Sequence, residues 1–114
     1  MDVKLTKKPI PSVTVAGEVD LSNADRVEAA IKQASETGPD IILNLSEATY
    51  LDSAGANLVF VACRQASKRN GHVALVVKNK NVRRMLEVLG ADCVPNVALR
   101  EGLADAMKAL GVTD

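Results

Sequence analysis

Two short, nearly uninterrupted apolar runs, Ile41-Ile42-Leu43-Asn44-Leu45 and Val73-Ala74-Leu75-Val76-Val77, restrict the possible folds of this chain more than any other feature. Each is bounded by polar or turn residues and is too short for an ordinary buried helix, so each reads as a strand covered on both faces. Between them lies a long stretch with helical period, from about Ala54 to Arg69, ended by Asn70-Gly71. A strand, a helix and another buried strand call for a parallel pairing with a right-handed crossover.

The flanking chain extends this alternation. Val3 and Leu5 alternate with polar neighbours, and Lys7-Lys8-Pro9-Ile10-Pro11 interrupts them as a turn or edge connection. A second strand runs from Val13 to Val19, closed by Gly17-Glu18-Val19-Asp20. Leu21-Ser22 then leads into a helix carrying Asp25 in its first turn, a relative of the capping box, with an apolar stripe of Ala24, Val27, Ile31 and Ala34 up to Gly38-Pro39. After the strand at Val73, a third helix spans about Asn81 to Leu89, with Val82, Met85, Leu86 and Leu89 as its stripe and Gly90 beyond its end. Val94, Pro95 and Val97 allow at most a short edge strand or a connection. Leu99, Leu103, Ala106, Met107 and Leu110 mark a final helix ending at Gly111. The expected architecture is a single α/β domain over residues 1–114, with a mixed, mostly parallel sheet of four or five strands and about four helices.

Composition removes several function classes. Lys+Arg and Asp+Glu are both 14, so no net charge draws the chain to nucleic acid or to an anionic membrane. Aromatic residues make up only 2%, which gives no platform for stacking bases. The first eight residues hold no apolar signal segment, and no stretch reaches membrane-spanning length, so the expected location is the cytoplasm. Cys63 and Cys93 lack metal-site or redox spacing and read as two reduced thiols. His72 is the sole histidine and follows Gly71 at a turn, so no Ser-His-acid or Cys-His catalytic set can be built. No Gly-rich phosphate loop is present either, and the expectation is a protein without enzymatic activity, cofactor or metal. Lys78, Lys80, Arg83 and Arg84 form the densest positive patch and read as a solvated helix start.

What remains is Asp52-Ser53, between the strand at Ile41 and the long helix. Ser and Asp are preferred helix caps, so either residue serves as an N-cap. A hydroxyl at or just before the first turn also sits where unpaired N–H groups and the positive end of the helix dipole favour a phosphate. Asp20 and Asp52-Ser53 both follow strands whose C-terminal ends point the same way, the edge on which open α/β sheets place their sites. On the long helix, placing residues at 100° per step leaves Leu58, Val59, Ala62, Cys63 and Ala66 inward. Val61 then falls among the outward Asn57, Arg64, Gln65 and Lys68, with Phe60 at the border; solitary exposed apolar residues are ordinary, and two of them near Ser53 also suit a partner-contacting face.

Gly17-Glu18-Val19-Asp20, Ile42-Leu43-Asn44-Leu45 and Tyr50-Leu51-Asp52-Ser53-Ala54-Gly55, in this order along the chain, resemble bacterial anti-sigma factor antagonists of the STAS domain family. The likeness covers essentially the whole chain and implies a STAS-like fold. It also implies partner switching: the unmodified antagonist captures an anti-sigma factor that is a serine kinase and so frees a sigma factor, while phosphorylation releases the antagonist. By position, Ser53 matches the phosphoacceptor, Asp52 the acidic residue beside it and Asp20 the acidic residue on the neighbouring loop. Leu21, Ser22, Ala54, Asn57 and Val61 complete the partner-binding surface so implied. The implied partners are the anti-sigma factor serine kinase and a serine phosphatase acting on phospho-Ser53, with the free protein a monomer. One departure stands out: the family usually has a bulky apolar residue after the glycine of Asp-Ser-x-Gly, whereas this chain has Ala56-Asn57. A different function class on the same fold is a STAS docking subunit of a transporter or other ATPase complex that is never phosphorylated. A receiver-type phosphotransfer domain would need an aspartyl acceptor with further carboxylates and a placed lysine, and Asp20 has no adjacent carboxylate beyond Glu18.

Overall fold

Alternation of Val3 and Leu5 with polar residues gives β1 (Asp2–Thr6), an edge strand antiparallel to β2 (Ser12–Val19). The computed structural model describes residues 1–7 and 9–111. Lys8, within the predicted turn, lies outside the described residues. From β2 the chain alternates: α1 (Ala24–Ser35), β3 (Ile41–Leu51), α2 (Ser53–Ser67), β4 (Val73–Val76), α3 (Lys80–Val88), a single 3₁₀ turn (Ala91–Cys93), β5 (Val97–Arg100) and α4 (Leu103–Ala109). The sheet has five strands in the order β1-β2-β3-β4-β5, and every pairing after the first is parallel.

Because side chains alternate across a strand, β3 and β4 feed two cores. Ile41, Leu43, Leu45, Val73, Leu75 and Val77 join Val13, Val15 and Val19 in the larger core with α1, α2 and α3. Ile42, Ala74 and Val76 point the other way, onto Ile10 and onto Ala106, Met107 and Leu110 at the C-terminal end of the chain. The sheet is therefore covered on both faces at its centre, as the apolar runs require.

Several boundaries differ from the sequence reading, each for a physical reason. β3 continues to Leu51 instead of ending at Leu45. Its second half pairs only with β2, through Ala16↔Glu47 to Val19↔Leu51, with Ala48 and Leu51 buried and Glu47 and Thr49 exposed. Buried residues there fall at Leu45, Ala48 and Leu51, three apart instead of two, because the register against β2 shifts between Thr14 and Ala16 and between Gly17 and Glu18. Val61 is buried at 5% exposure rather than outward. Helix α1 packs beside α2, so the flank of α2 bearing Leu58 and Val61 is part of the same core as Val27 and Ile31. Leu89, expected on the inner stripe of the third helix, is its C-cap residue and is exposed. Leu99 belongs to β5, and α4 begins only at Leu103.

At the N-terminal edge of the sheet two connections lock together. After α2 the chain turns through Asn70, at φ +58°, and the Gly71 amide donates to the Ala66 carbonyl at 2.8 Å. Gly71 then lies against Pro39 of the α1–β3 connection, and the His72 amide donates to Asp40 Oδ1 at 2.8 Å. Asn96 Nδ2 reaches the carbonyls of Cys63 and Gly71 and the Ser67 hydroxyl, tying the start of β5 to the same corner.

Burial pushes the Cys63 thiol up from 9.0 to about 11. The unfolded chain therefore loses this proton first, so the associated stability is complete below about pH 9 and is lost as pH rises through the folded value near 11. On that sign, the stability of the native chain should fall more steeply between these limits than that of Cys63→Ala in alkaline denaturation. Parallel curves for the two proteins would contradict it.

Candidate functional site

The site is assembled where β2 and β3 end. The Asp52 amide donates to the Val19 carbonyl at 3.2 Å, which holds the start of α2 against the end of β2. Asp52 itself is extended (φ −89°, ψ −172°) and is the N-cap, with Oδ1 accepting from the Gly55 amide at 2.9 Å. Its second oxygen, Oδ2, accepts from the Leu21 amide at 3.1 Å, across the gap to the β2–α1 loop. Ser53 is thus the first helical residue rather than the cap, and its side chain is exposed. The amides of the first turn and the positive end of the helix dipole lie at its position.

The β2–α1 loop is closed by its own polar side chains. Asp20 Oδ1 accepts from both the amide and the hydroxyl of Ser22, and the Ser22 hydroxyl, first among these donors, holds the Asp20 carboxyl below the usual carboxylate range. Asn23 Oδ1 accepts from the Asp20 amide at 3.0 Å, while Nδ2 donates to the Glu18 carbonyl at 3.0 Å. The capping relation expected of Ser22 and Asp25 is not made: Asn23 occupies the N-cap position of α1, and Ser22 is engaged by Asp20. The Asn23 side chain makes no cap bond to α1 either, because both of its ends are spent on the Asp20 amide and the Glu18 carbonyl. Leu21, between Asp20 and Ser22, is 81% exposed.

Of the residues expected on the partner surface, Asp20, Leu21, Ser22, Asp52, Ser53 and Ala54 are brought together at this edge by the β2–α1 loop and the first turn of α2. Asn57 is exposed one turn further along α2, whereas Val61 is taken up by the core. Ala56, at the position of the family's usual bulky residue, is fully buried. The basic residues Lys78, Lys80 and Arg84 stand exposed beyond β4, and Arg83 pairs with Glu101 at 3.3 Å. Among the described residues no group of three or more His, Cys, Asp or Glu side chains is placed to hold a metal ion. No helix among them is long and apolar enough to cross a membrane.

Gly55 explains how the two halves come so close. A Cβ added there would lie 2.9 Å from the Val19 carbonyl oxygen and 3.2 Å from the Val19 side chain. Gly55→Ala must therefore move α2 away from β2, at a cost of about 1–3 kcal/mol in denaturant unfolding, as for other overpacked sites. A change under about 0.5 kcal/mol would show that the approach is looser than the geometry requires.

A five-stranded sheet in the order β1-β2-β3-β4-β5, antiparallel at β1 and parallel thereafter, with helices between its parallel strands, defines a class of small α/β domains. The STAS domain model matches residues 3–106, and the chain belongs to the STAS domain family. It is 29% identical over 111 residues to BtrV of Bordetella bronchiseptica, covering 93% of this chain and 96% of that protein. It is also similar to the crystal structure of an anti-sigma factor antagonist from Mycobacterium paratuberculosis, with a TM-score of 0.83, 25% identity and coverage of 96% and 92% of the two chains. The unphosphorylated anti-sigma factor antagonist SpoIIAA matches with a TM-score of 0.80 at 20% identity over 99% and 100% of the chains. SpoIIAA of Bacillus in its phosphorylated form matches at 0.72 and 20%, over 95% and 98%.

Proposed function

We propose that this STAS protein is an anti-sigma factor antagonist whose unmodified form binds an anti-sigma factor serine kinase, and that phosphorylation of Ser53 ends the complex. One observation carries the reading: an exposed Ser53 hydroxyl opens α2, flanked by Asp52 and by the loop of Asp20, Leu21 and Ser22. A kinase can reach that hydroxyl, and a partner bound over it must meet the same loop. Relatives in sequence and fold are named as anti-sigma factor antagonists, and one has been solved in both phosphorylation states. Together these support the role of Ser53 and a regulatory rather than catalytic protein.

The test is a pull-down from the source organism with unmodified protein, with mass spectrometry of the captured proteins and of Ser53. Capture of an ATP-binding kinase that modifies Ser53 is expected. Capture of a transporter ATPase with Ser53 never modified would favour the docking-subunit reading instead. Ser53→Ala should capture the same kinase but resist release by ATP. Because Asp52 and not Ser53 is the cap, this substitution should cost no more than about 0.5 kcal/mol of stability. A Ser53→Ala protein that unfolds, or that ATP releases as readily as the native one, would refute the assignment.

A further inference from the structure

Leu21 is a large apolar side chain, 81% exposed, on a loop otherwise made of Asp20, Ser22 and Asn23. Exposed apolar residues are common, but this one is not loosely held. Its amide is bonded to Asp52 Oδ2 at 3.1 Å, and the residues on either side of it are joined by the Asp20–Ser22 bonds. The same Asp52 caps α2 through Oδ1. One carboxylate thus joins two elements that the chain separates by a whole helix and strand, and Ser53 is the next residue. We propose, on the reading given above, that Asp52 is a positioning residue: by bonding the amides of Leu21 and Gly55 together it presents the Leu21 side chain beside Ser53 as the apolar anchor of the partner interface.

The partner's complementary surface follows from the surroundings. Glu18, Asp20 and Asp25 lie around the loop, with Arg26 the one cation close to them in sequence. An apolar side chain projecting from an acidic setting fits an apolar pocket rimmed by Lys or Arg, the arrangement in which a buried anchor carries most of the affinity and the rim charges set specificity. Asp52 acts here within its own chain, which distinguishes it from a residue that touches the partner directly.

Asp52→Asn separates the two bonds. An Asn side chain keeps one acceptor oxygen, sufficient for the cap on Gly55, and Asn ranks with Asp as a capping residue. Its amide nitrogen cannot accept the Leu21 N–H, so only the clamp on the loop is lost. Asp52→Asn should therefore stay folded, with only a small fall in denaturation midpoint, while its Leu21 amide exchanges at least tenfold faster by NMR. Against the kinase captured above, Leu21→Ala should weaken binding about 100-fold and Asp52→Asn about tenfold. The double variant should be little weaker than Leu21→Ala alone, because both changes remove the same contact. An unchanged Leu21 exchange rate would overturn the positioning role whether or not a kinase is the partner. Additive losses in the double variant would overturn it as well, by showing that Asp52 meets the partner itself. If no kinase is captured, the function proposed above fails, and the exchange measurement still decides the clamp.

Discussion

Gly71→Ala should leave little folded protein at 37 °C. A Cβ at this position would sit 1.8 Å from the Pro39 carbonyl oxygen and 2.3 Å from its carbon, distances that no rotamer change can relieve because both partners are backbone. The obstacle lies where the α1–β3 and α2–β4 connections cross, and both are held by hydrogen bonds: Gly71 to Ala66, and His72 to Asp40. Relief would require shifting a whole connection by more than 1 Å, with loss of those bonds and disturbance of the first residues of β3 and β4. We expect a loss of about 4 kcal/mol or more, a large share of the roughly 5–15 kcal/mol that stabilises a domain of this size. Gly90→Ala is the control. Gly90 has φ +77° but nothing within 4 Å of an added Cβ, so only the left-handed backbone strain of about 1–2 kcal/mol applies. Denaturant unfolding of both variants separates steric exclusion from backbone strain, and a Gly71→Ala protein as stable as Gly90→Ala would contradict this account.

Phosphorylation of Ser53 should weaken partner binding about a thousandfold while leaving the backbone in place. A phosphate adds about −1.5 to −2 charges near neutral pH. At the first turn of α2 the helix dipole favours this charge by about 0.3–1 kcal/mol. Asp52 opposes it: at ~5 Å and an effective dielectric of 20, each unit charge costs roughly 3 kcal/mol before screening, and solvent at this exposed residue leaves only a fraction of that. Neither effect within the domain approaches its stability. In the complex, a surface shaped for a neutral hydroxyl must instead desolvate a phosphate, and a loss of ~4 kcal/mol corresponds to the thousandfold change. Titration calorimetry of both forms against one kinase, with circular dichroism of each alone, measures the two halves. Tighter binding by the phosphorylated protein, or a changed spectrum, would refute the prediction.

How far the chain could be read depended on whether its neighbours were local. Ile41 to Leu45 and Val73 to Val77 are apolar on both sides, so they read as central strands wherever they are placed, and the order of elements follows from them. The Asp52-Ser53 start of α2 is equally local, because a cap acts on amides three residues away. The second half of β3 is not legible in the sequence: its buried residues keep no period of two, because the register against β2 slips twice alongside it. Val61 was misplaced for a similar reason, since a helical wheel shows which residues share a face but not that α1 covers a second flank of α2. Asn23, Gly55 and Gly71 act through Glu18, Val19 and Pro39 respectively, and no spacing rule announces such partners.

The unequal lengths of β3 and β4 shape the way in which anything can approach Ser53. The last β3–β4 pair is Asn44↔Val76, so residues 45–51 of β3 run on beyond β4 with β2 alongside them. Counted along β2 from Thr14 to Val19, because β3 carries two extra residues there, that is an advance of about 16 Å at ~3.3 Å per residue. Ser53 and Leu21, both exposed, therefore stand where the sheet is only two strands wide, at the ends of β3 and β2. Exposed side chains at such an edge give a small substrate little enclosure, whereas the surface of another protein can cover both at once.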